Sequence, residues 1–257
     1  MTMRLDGAVV VVTGAAGGIG AAMARRFARD GAQLVLADLD ADAVRRVADE
    51  VGGLAVPGDA ASEDGVAALV AAALERHGRI DLFCANAGVA RSGGPEAPEA
   101  EWALSWEVNV MAHVRAARAV LPHWLERGEG HFLATVSAAG LLTMLGSAPY
   151  SVSKHAALAF AEWLAIEYGD RGIAVQALCP QGVRTAMLGS SGSAGQKLLG
   201  EGALEPEQVA EVVVEALRDG RFLVLPHEEV AGYYALRAAD PGRWQGGMRK
   251  LRRRTST

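Results

Sequence analysis

The chain has 257 residues, is 51% hydrophobic and only 5% aromatic, and carries a net charge of −5. A sizeable core is available, and the excess of acid removes the general electrostatic reason to expect nucleic-acid binding. Two cysteines, Cys84 and Cys179, are too few for a disulfide framework, no stretch has the uncharged apolar length of a membrane span, and the N-terminus is unlike a signal peptide; a cytoplasmic protein with no membrane partner is expected.

Strand candidates fall at Ala8–Val12, Gln33–Ala37, Leu54–Val56, Leu82–Ala85, His131–Val136, Ala174–Leu178 and Phe222–Leu225. Helical apolar periodicity occupies the intervals near 18–30, 41–51, 63–77, 99–127, 150–171 and 206–219. This alternation predicts an α/β fold: a doubly wound parallel sheet of about seven strands flanked by helices, a Rossmann fold in a single domain. The Gly/Ser-rich stretch 189–196 reads as a flexible insertion that could close as a lid. Residues 226–257 form a carboxyl-terminal extension, in which Tyr233, Tyr234 and Trp244 are expected to pack on substrate-side loops or on a neighbouring subunit. The basic tail from 249 onward is expected to be solvated.

The stretch VVVVTGAAGGIG joins the first strand to the first helix and spaces Gly14, Gly18 and Gly20 as G-x-x-x-G-x-G. Glycines there permit a tight turn and let backbone N–H groups approach a pyrophosphate at the helix N-terminus. Asp38 ends the next strand, where a carboxylate can accept from the adenosine ribose hydroxyls and repel a 2′-phosphate. No Lys or Arg stands at 15–17, and position 39 is Leu. Asp40 or Asp42 can cap the following helix, which leaves Asp38 for the ribose. Tyr150 and Lys154 lie one helical turn apart on one face. Cys84 and Cys179 are expected to be small buried core residues, and the scattered histidines show no metal-ligand spacing. Trp102 and Trp106 are expected to pack at a helix interface.

In these motifs the chain resembles the short-chain dehydrogenase/reductase family over roughly residues 5–225. TGAAGGIG (13–20) matches the family's T-G-x-x-x-G-x-G, ANAG (85–88) its N-N-A-G with Ala85 for the first Asn, and YSVSK (150–154) its Y-x-x-x-K. CPQGVRT (179–185) is similar to its P-G-x-V-x-T, with Gln181 for the first Gly. The resemblance implies NAD binding by Gly14, Gly18, Ile19, Gly20, Asp38, Leu39, Asp59, Ala60, Asn86, Gly88, Tyr150, Lys154, Pro180, Val183 and Thr185, with Asp59 at the adenine. It implies a catalytic set of Asn109, Ser137, Tyr150 and Lys154, and no metal. Tyr150 would exchange the proton of an alcohol or carbonyl oxygen, with its pKa lowered by the lysine cation. Ser137 would position that oxygen, Lys154 would hold the nicotinamide ribose, and Asn109 would hold a relay water.

The apolar runs 141–145 and 186–188 lie where the family lines its substrate cleft, so a mainly apolar secondary alcohol or ketone is the expected small-molecule substrate. Family members commonly pair helices such as the Ala-rich ones at 99–127 and 150–171, so the resemblance implies a homodimer or homotetramer. A non-catalytic NAD-binding sensor or scaffold, and an epimerase or dehydratase on the same fold, stay open as alternatives.

Overall fold

The computed structural model describes residues 2–190 and 192–255. Seven parallel strands form one sheet: β1 (Val9–Thr13), β2 (Gln33–Ala37), β3 (Leu54–Ala55), β4 (Leu82–Ala85), β5 (Gly130–Thr135), β6 (Ile173–Leu178) and β7 (Leu223–Val224). Their order is β3-β2-β1-β4-β5-β6-β7. The order reverses between β1 and β4, which opens a crevice at the carboxyl ends of those strands, the usual ligand position in such sheets.

The four-valine run makes β1 a central strand because both faces are covered. Val11 faces a core layer built with α3 (Glu63–His77), α5 (Ala112–Arg127) and α7 (Ala148–Tyr168). Val10 and Val12 face the opposite layer with α1 (Gly18–Arg29), α2 (Ala41–Val51) and α10 (Pro206–Asp219). Period-two alternation thus feeds two cores from one strand. Register pairs Val11 with Val35 and Phe83.

Most predicted elements are found with ends shifted by a residue or two. The helix expected over 99–127 is instead α4 (Glu99–Trp106), a π turn at Glu107–Met111, and α5, with Ala112 N–H bonded to Glu107 O. The π turn inserts a residue into the helix and re-aims Asn109, a device common at functional sites. A short α6 (Ala139–Leu142) follows β5. The insertion expected at 189–196 is largely helical, with α8 (Ala186–Gly189) and α9 (Gly192–Leu199); Ser191 lies outside the described residues. α9 packs against the C-terminal helix, and tertiary contact outweighs its Gly/Ser composition.

Residues 226–257 carry α11 (Glu229–Ala239) and α12 (Pro241–Thr255). Trp244 packs on the core and lies 6.3 Å from the Tyr233 ring, while Tyr233 and Tyr234 themselves stay exposed. The basic residues of the expected solvated tail up to 255 are therefore helical, and 256–257 lie outside the described residues. Among the described residues no helix is long and apolar enough to cross a membrane, and no group of His, Cys, Asp or Glu could hold a metal ion.

Candidate active site

The glycine turn closes on itself at the head of α1. Gly14 has φ +65, and a Cβ there would lie 2.9 Å from the Ala87 Cα. At Gly20 a Cβ would sit 2.1 Å from the Gly14 carbonyl oxygen, so only glycine fits. Ile19 is half-buried against the core, and Thr185 touches Gly18 from the far side. A cleft of about 640 Å³ opens along this turn, lined by Gly17, Gly18, Arg184, Thr185, Leu188 and Gln196 among others.

Asp38 leaves the end of β2 and reaches back to the turn. Its Oδ2 accepts from Ala16 N–H at 2.9 Å and its Oδ1 from Asp40 N–H at 3.1 Å. Asp40 is the cap of α2, accepting from Ala43 N–H. Asp38 is thus not an α2 cap, but it is already bonded rather than idle; two carboxylate oxygens offer about four acceptor sites, so further donors can be taken. Leu39 beside it is 75% exposed. The nearest helix cations are committed elsewhere: Arg25 forms a fork with Glu50 at 2.8 and 2.9 Å, and Arg26 pairs with Asp30 and Glu211. Asp59 accepts from Ala61 N–H, next to buried Ala60, and Gly58 N–H donates to the Asp38 carbonyl, so the ends of β2 and β3 form one rim.

The ends of β1, β4 and β5 are tied by Asn86 together with Thr13 and Thr135, two residues not singled out by their motifs. Asn86 donates to the carbonyls of Thr13 and Gly14 and accepts from Thr135 Oγ1 at 3.0 Å. Thr13 Oγ1 accepts from the N–H groups of Asn86 and Ala87. Thr13 is the threonine of the T-G motif, the one signal that could have marked it. Ala85, in place of the family's Asn, is a buried strand residue opposite Ala134.

Asn109 is fully buried. Its Oδ1 accepts from Val89 N–H at 2.9 Å, and its Nδ2 donates to Val89 O at 2.9 Å and to Ser153 Oγ at 3.0 Å. A Cβ placed on Gly88 would lie 3.2 Å from Asn109 Oδ1 and 3.4 Å from Lys154 Nζ, so these side chains converge over the β4 loop. Lys154 Nζ donates to Thr135 O at 2.8 Å and lies 5.9 Å from the Tyr150 ring centroid. Ser137, just past β5, is buried; its hydroxyl accepts from Ala139 N–H, donates to Pro180 O at 3.4 Å, and stands beside Tyr150 closely enough to act on its phenol. Pro180 O accepts from Ala138 N–H, and Val183 is buried beneath the same loop. The structure therefore brings Asn109, Ser137, Tyr150 and Lys154 to the carboxyl edge of the sheet, beside the glycine turn.

One electrostatic expectation changes. Burial pushes the Tyr150 phenol above its ordinary value, with the Ser137 hydrogen bond pulling it back and the neighbouring Cys179 adding to the rise. Lys154 is itself buried, lowered to about 8, and turned toward the Thr135 carbonyl. Cys179 is buried and pushed up to about 12, and Cys84 is pushed up as well, so both are inert core thiols. His113, one turn past Asn109, is buried and lowered to about 3, which keeps it neutral.

The expected substrate wall also differs. Leu141 and Leu142 are buried in the core rather than facing an open cleft, whereas Met187 is exposed. Trp106 is exposed as well, so within this chain it does not pack as expected.

Residues 8–195 match the family model described as short chain dehydrogenase. The chain belongs to the short-chain dehydrogenase family. Its oxidoreductase class follows from that membership. The dehydrogenase is 39% identical over 236 residues to 1-deoxy-11-beta-hydroxypentalenate dehydrogenase of Streptomyces exfoliatus, covering 88% of this chain and 86% of the relative. It is 35% identical to Oxidoreductase UcpA of Escherichia coli K12, covering 72% of each. Among solved structures, a short-chain dehydrogenase/reductase of Burkholderia phymatum in complex with NAD superposes with a TM-score of 0.86 at 31% identity, covering 93% and 95% of the two chains. L-sorbose reductase of Gluconobacter frateurii, complexed with NADPH and L-sorbose, superposes with a TM-score of 0.76 at 28% identity, covering 88% and 97%. Relatives of this fold thus bind either nicotinamide cofactor.

Proposed function

We propose that this short-chain dehydrogenase is an NAD-dependent oxidoreductase that interconverts a mainly apolar secondary alcohol and its ketone. The observation that carries the reading is the meeting of Ser137, Tyr150 and Lys154 at one edge of the sheet, beside a glycine turn anchored by Asp38. The turn fits a dinucleotide because its backbone is packed so closely that a side chain at Gly20 has no room. Gly14, Gly18, Ile19 and Gly20 would face the pyrophosphate, with Pro180, Val183 and Thr185 closing from the β6 side. Asp38 and Leu39 would meet the adenosine ribose, Asp59 and Ala60 the adenine, and Asn86 and Gly88 the inner edge. The nicotinamide, when bound, supplies the site that takes or gives hydride.

The chain's own residues would handle the proton and the orientation. Tyr150 stays protonated at neutral pH, as donation to a carbonyl oxygen needs, and it takes the hydroxyl proton in the reverse direction. Ser137 donates toward the same oxygen and stabilises charge that develops on it. Lys154 returns the proton to the phenol, and its lowered pKa near 8 makes it a ready donor close to physiological pH. The Asn109 amide holds Val89 and Ser153, so its part in a relay would run through its main chain at the π turn.

Residues 1–257 act as one catalytic domain, with 226–257 an extension of it. The exposed Val152, Trp163 and Ile166 on α7 and Trp106 at the end of α4 support a homodimer or homotetramer, and two unbridged cysteines support a cytoplasmic location. A panel of secondary alcohols and ketones, followed by nicotinamide absorbance, tests the function. Oxidation or reduction of apolar members is expected. Silence across the panel, with NAD bound, would instead favour the sensor reading.

A further inference from the structure

Beyond the residues matched by the family model, α11 reaches back to the active site at two places. At its start, His227 is buried and its Nδ1 accepts from Gln181 N–H at 3.2 Å, so the residue that replaces the family's Gly is held through its main chain. At its far end, Arg237 Nη1 donates to the Leu141 carbonyl and lies 2.9 Å from His155 Nε2. Leu141 O belongs to α6, whose four residues leave terminal carbonyls without helical partners, so a cation there acts as a C-cap.

The α6 turn lies between Ser137 and Lys154. Ser137 Oγ and O accept from Ala139 and Gly140 N–H, and a Cβ on Gly140 would come within 2.6 Å of Lys154 O. The turn ends at Thr143, a β-branched residue at φ +73, a conformation that persists only where its surroundings hold it. Ser151 Oγ accepts from Met144 N–H on one side of Thr143 at 2.9 Å and shares its own proton between Ser147 O at 2.8 Å and Met144 O at 3.2 Å; Arg237 holds the other side.

The tautomer of His155 is fixed by its partners. Its Nδ1 lies 2.8 Å from Ser151 O and must donate, so its Nε2 is the acceptor for Arg237. We propose that Arg237 is a positioning residue for Ser137 and Lys154: with neutral His155 it clamps the α6 turn in its catalytic geometry, and the clamp opens when His155 takes a proton. Among the described residues, the groups hydrogen-bonded to His155 are the Ser151 carbonyl from its own helix and Arg237 from α11, which also holds the Leu141 carbonyl of α6 and whose charge acts on the imidazole. A protonated His155 can no longer accept and is repelled by the guanidinium. Burial and Arg237 both hold its pKa below the ordinary histidine value, so the clamp is closed at neutral pH and lost as pH falls through that lowered pKa.

The inference rests on the catalytic reading of Ser137 and Lys154, and its test separates the two. Arg237→Met keeps the aliphatic reach without the donor. Its backbone amides at 139–143 are expected to exchange at least about tenfold faster, with strand amides unchanged, and kcat/KM is expected to fall at least about tenfold at pH 7. Arg237→Lys, which can still cap Leu141 O, should recover part of both. His155→Gln can donate and accept at the same places without titrating, and it should remove the acid limb of the kcat/KM profile. Nitrogen NMR of wild-type His155 should show the Nδ1–H tautomer. Exchange at 139–143 and kcat/KM within twofold of wild type in Arg237→Met, or a uniform rise in exchange across the whole sheet, would overturn the clamp. Wild-type protein silent on every alcohol and ketone would sink the catalytic reading, while the exchange and NMR data would still decide the clamp.

Discussion

Asn109 Nδ2 donates to Ser153 Oγ across 3.0 Å, and this bond joins the π turn to the helix that carries Tyr150 and Lys154. The same amide saturates the N–H and carbonyl of Val89, so one buried side chain fixes the β4 loop, the π turn and α7 together. Asn109→Leu keeps the volume but strands those polar groups. Stability is expected to drop by at least about 2 kcal/mol, since each buried unsatisfied group costs about 1–3 kcal/mol. Urea unfolding checks this. A midpoint equal to wild type would mean that Val89 is satisfied by other means.

Tyr150→Phe removes the phenol oxygen and keeps the ring. Turnover should fall by about 10²–10⁴, the usual contribution of a positioned acid or base, while NAD affinity measured by calorimetry stays the same. A rate within a few-fold of wild type would remove Tyr150 from the chemistry.

Where local pattern decides structure, the sequence was readable. The valine run of β1, the glycine turn and the four-residue spacing of Tyr150 and Lys154 depend on neighbours along the chain, and each is where the pattern puts it. The π turn was not readable, because Glu107–Met111 has ordinary helical composition and the extra residue is set by Asn109 binding Val89. α9 was missed because Gly and Ser weigh against a helix that packing against α12 imposes. Leu141 and Leu142 looked like a cleft wall because apolar residues line both cleft and core, and only the path of the chain distinguishes them. The sign of the Tyr150 shift was missed for a related reason: the i, i+4 spacing fixes which groups are neighbours, but burial is a property of the folded chain.

Gly20→Ala tests the cradle directly. Its new Cβ would meet the Gly14 carbonyl at 2.1 Å and Asn86 Nδ2 at 2.8 Å, so the turn must open. NAD binding should weaken by at least about tenfold, or about 1.4 kcal/mol. Affinity unchanged by calorimetry would place the dinucleotide elsewhere.

Lys154 should titrate near 8, far below its ordinary 10.5, because burial disfavours the ammonium. The chain has three lysines, Lys154, Lys197 and Lys250, so carbon-labelled lysine NMR can follow it alone. The folded protein releases this proton before the unfolded chain does, so the unfolded chain binds more protons between about 8 and 10.5, and stability should rise with pH across that interval. Tyr150 acts in the opposite sense above about 10, where the unfolded phenol ionises first. The buried thiols of Cys84 and Cys179, both pushed up, act in the same sense as Tyr150 above about 9, so the Lys154 contribution is read as the stability of wild type minus that of Lys154→Met, a difference that should rise from pH 8 to about 10. A flat difference would mean that Lys154 is charged at little cost in the fold.

NAD is expected to bind more tightly than NADP by at least about tenfold, or about 1.4 kcal/mol. Asp38 presents a carboxylate at the end of β2, and a 2′-phosphate there would meet like charge. The cations that could offset it are engaged: Arg25 by Glu50, and Arg26 by Asp30 and Glu211. Leu39, open to solvent, offers apolar surface in place of a phosphate partner. Asp38→Ala with Leu39→Arg should shift preference toward NADP, because repulsion is removed and a guanidinium arrives. Absolute affinity for either cofactor should fall as well, since Ala16 N–H loses the carboxylate that anchors the glycine turn to β2. Calorimetric titration of both cofactors into both proteins decides it. Equal or tighter NADP binding by the wild type would mean that Asp38 serves only to hold Ala16 and Asp40, and that the ribose is read by another group.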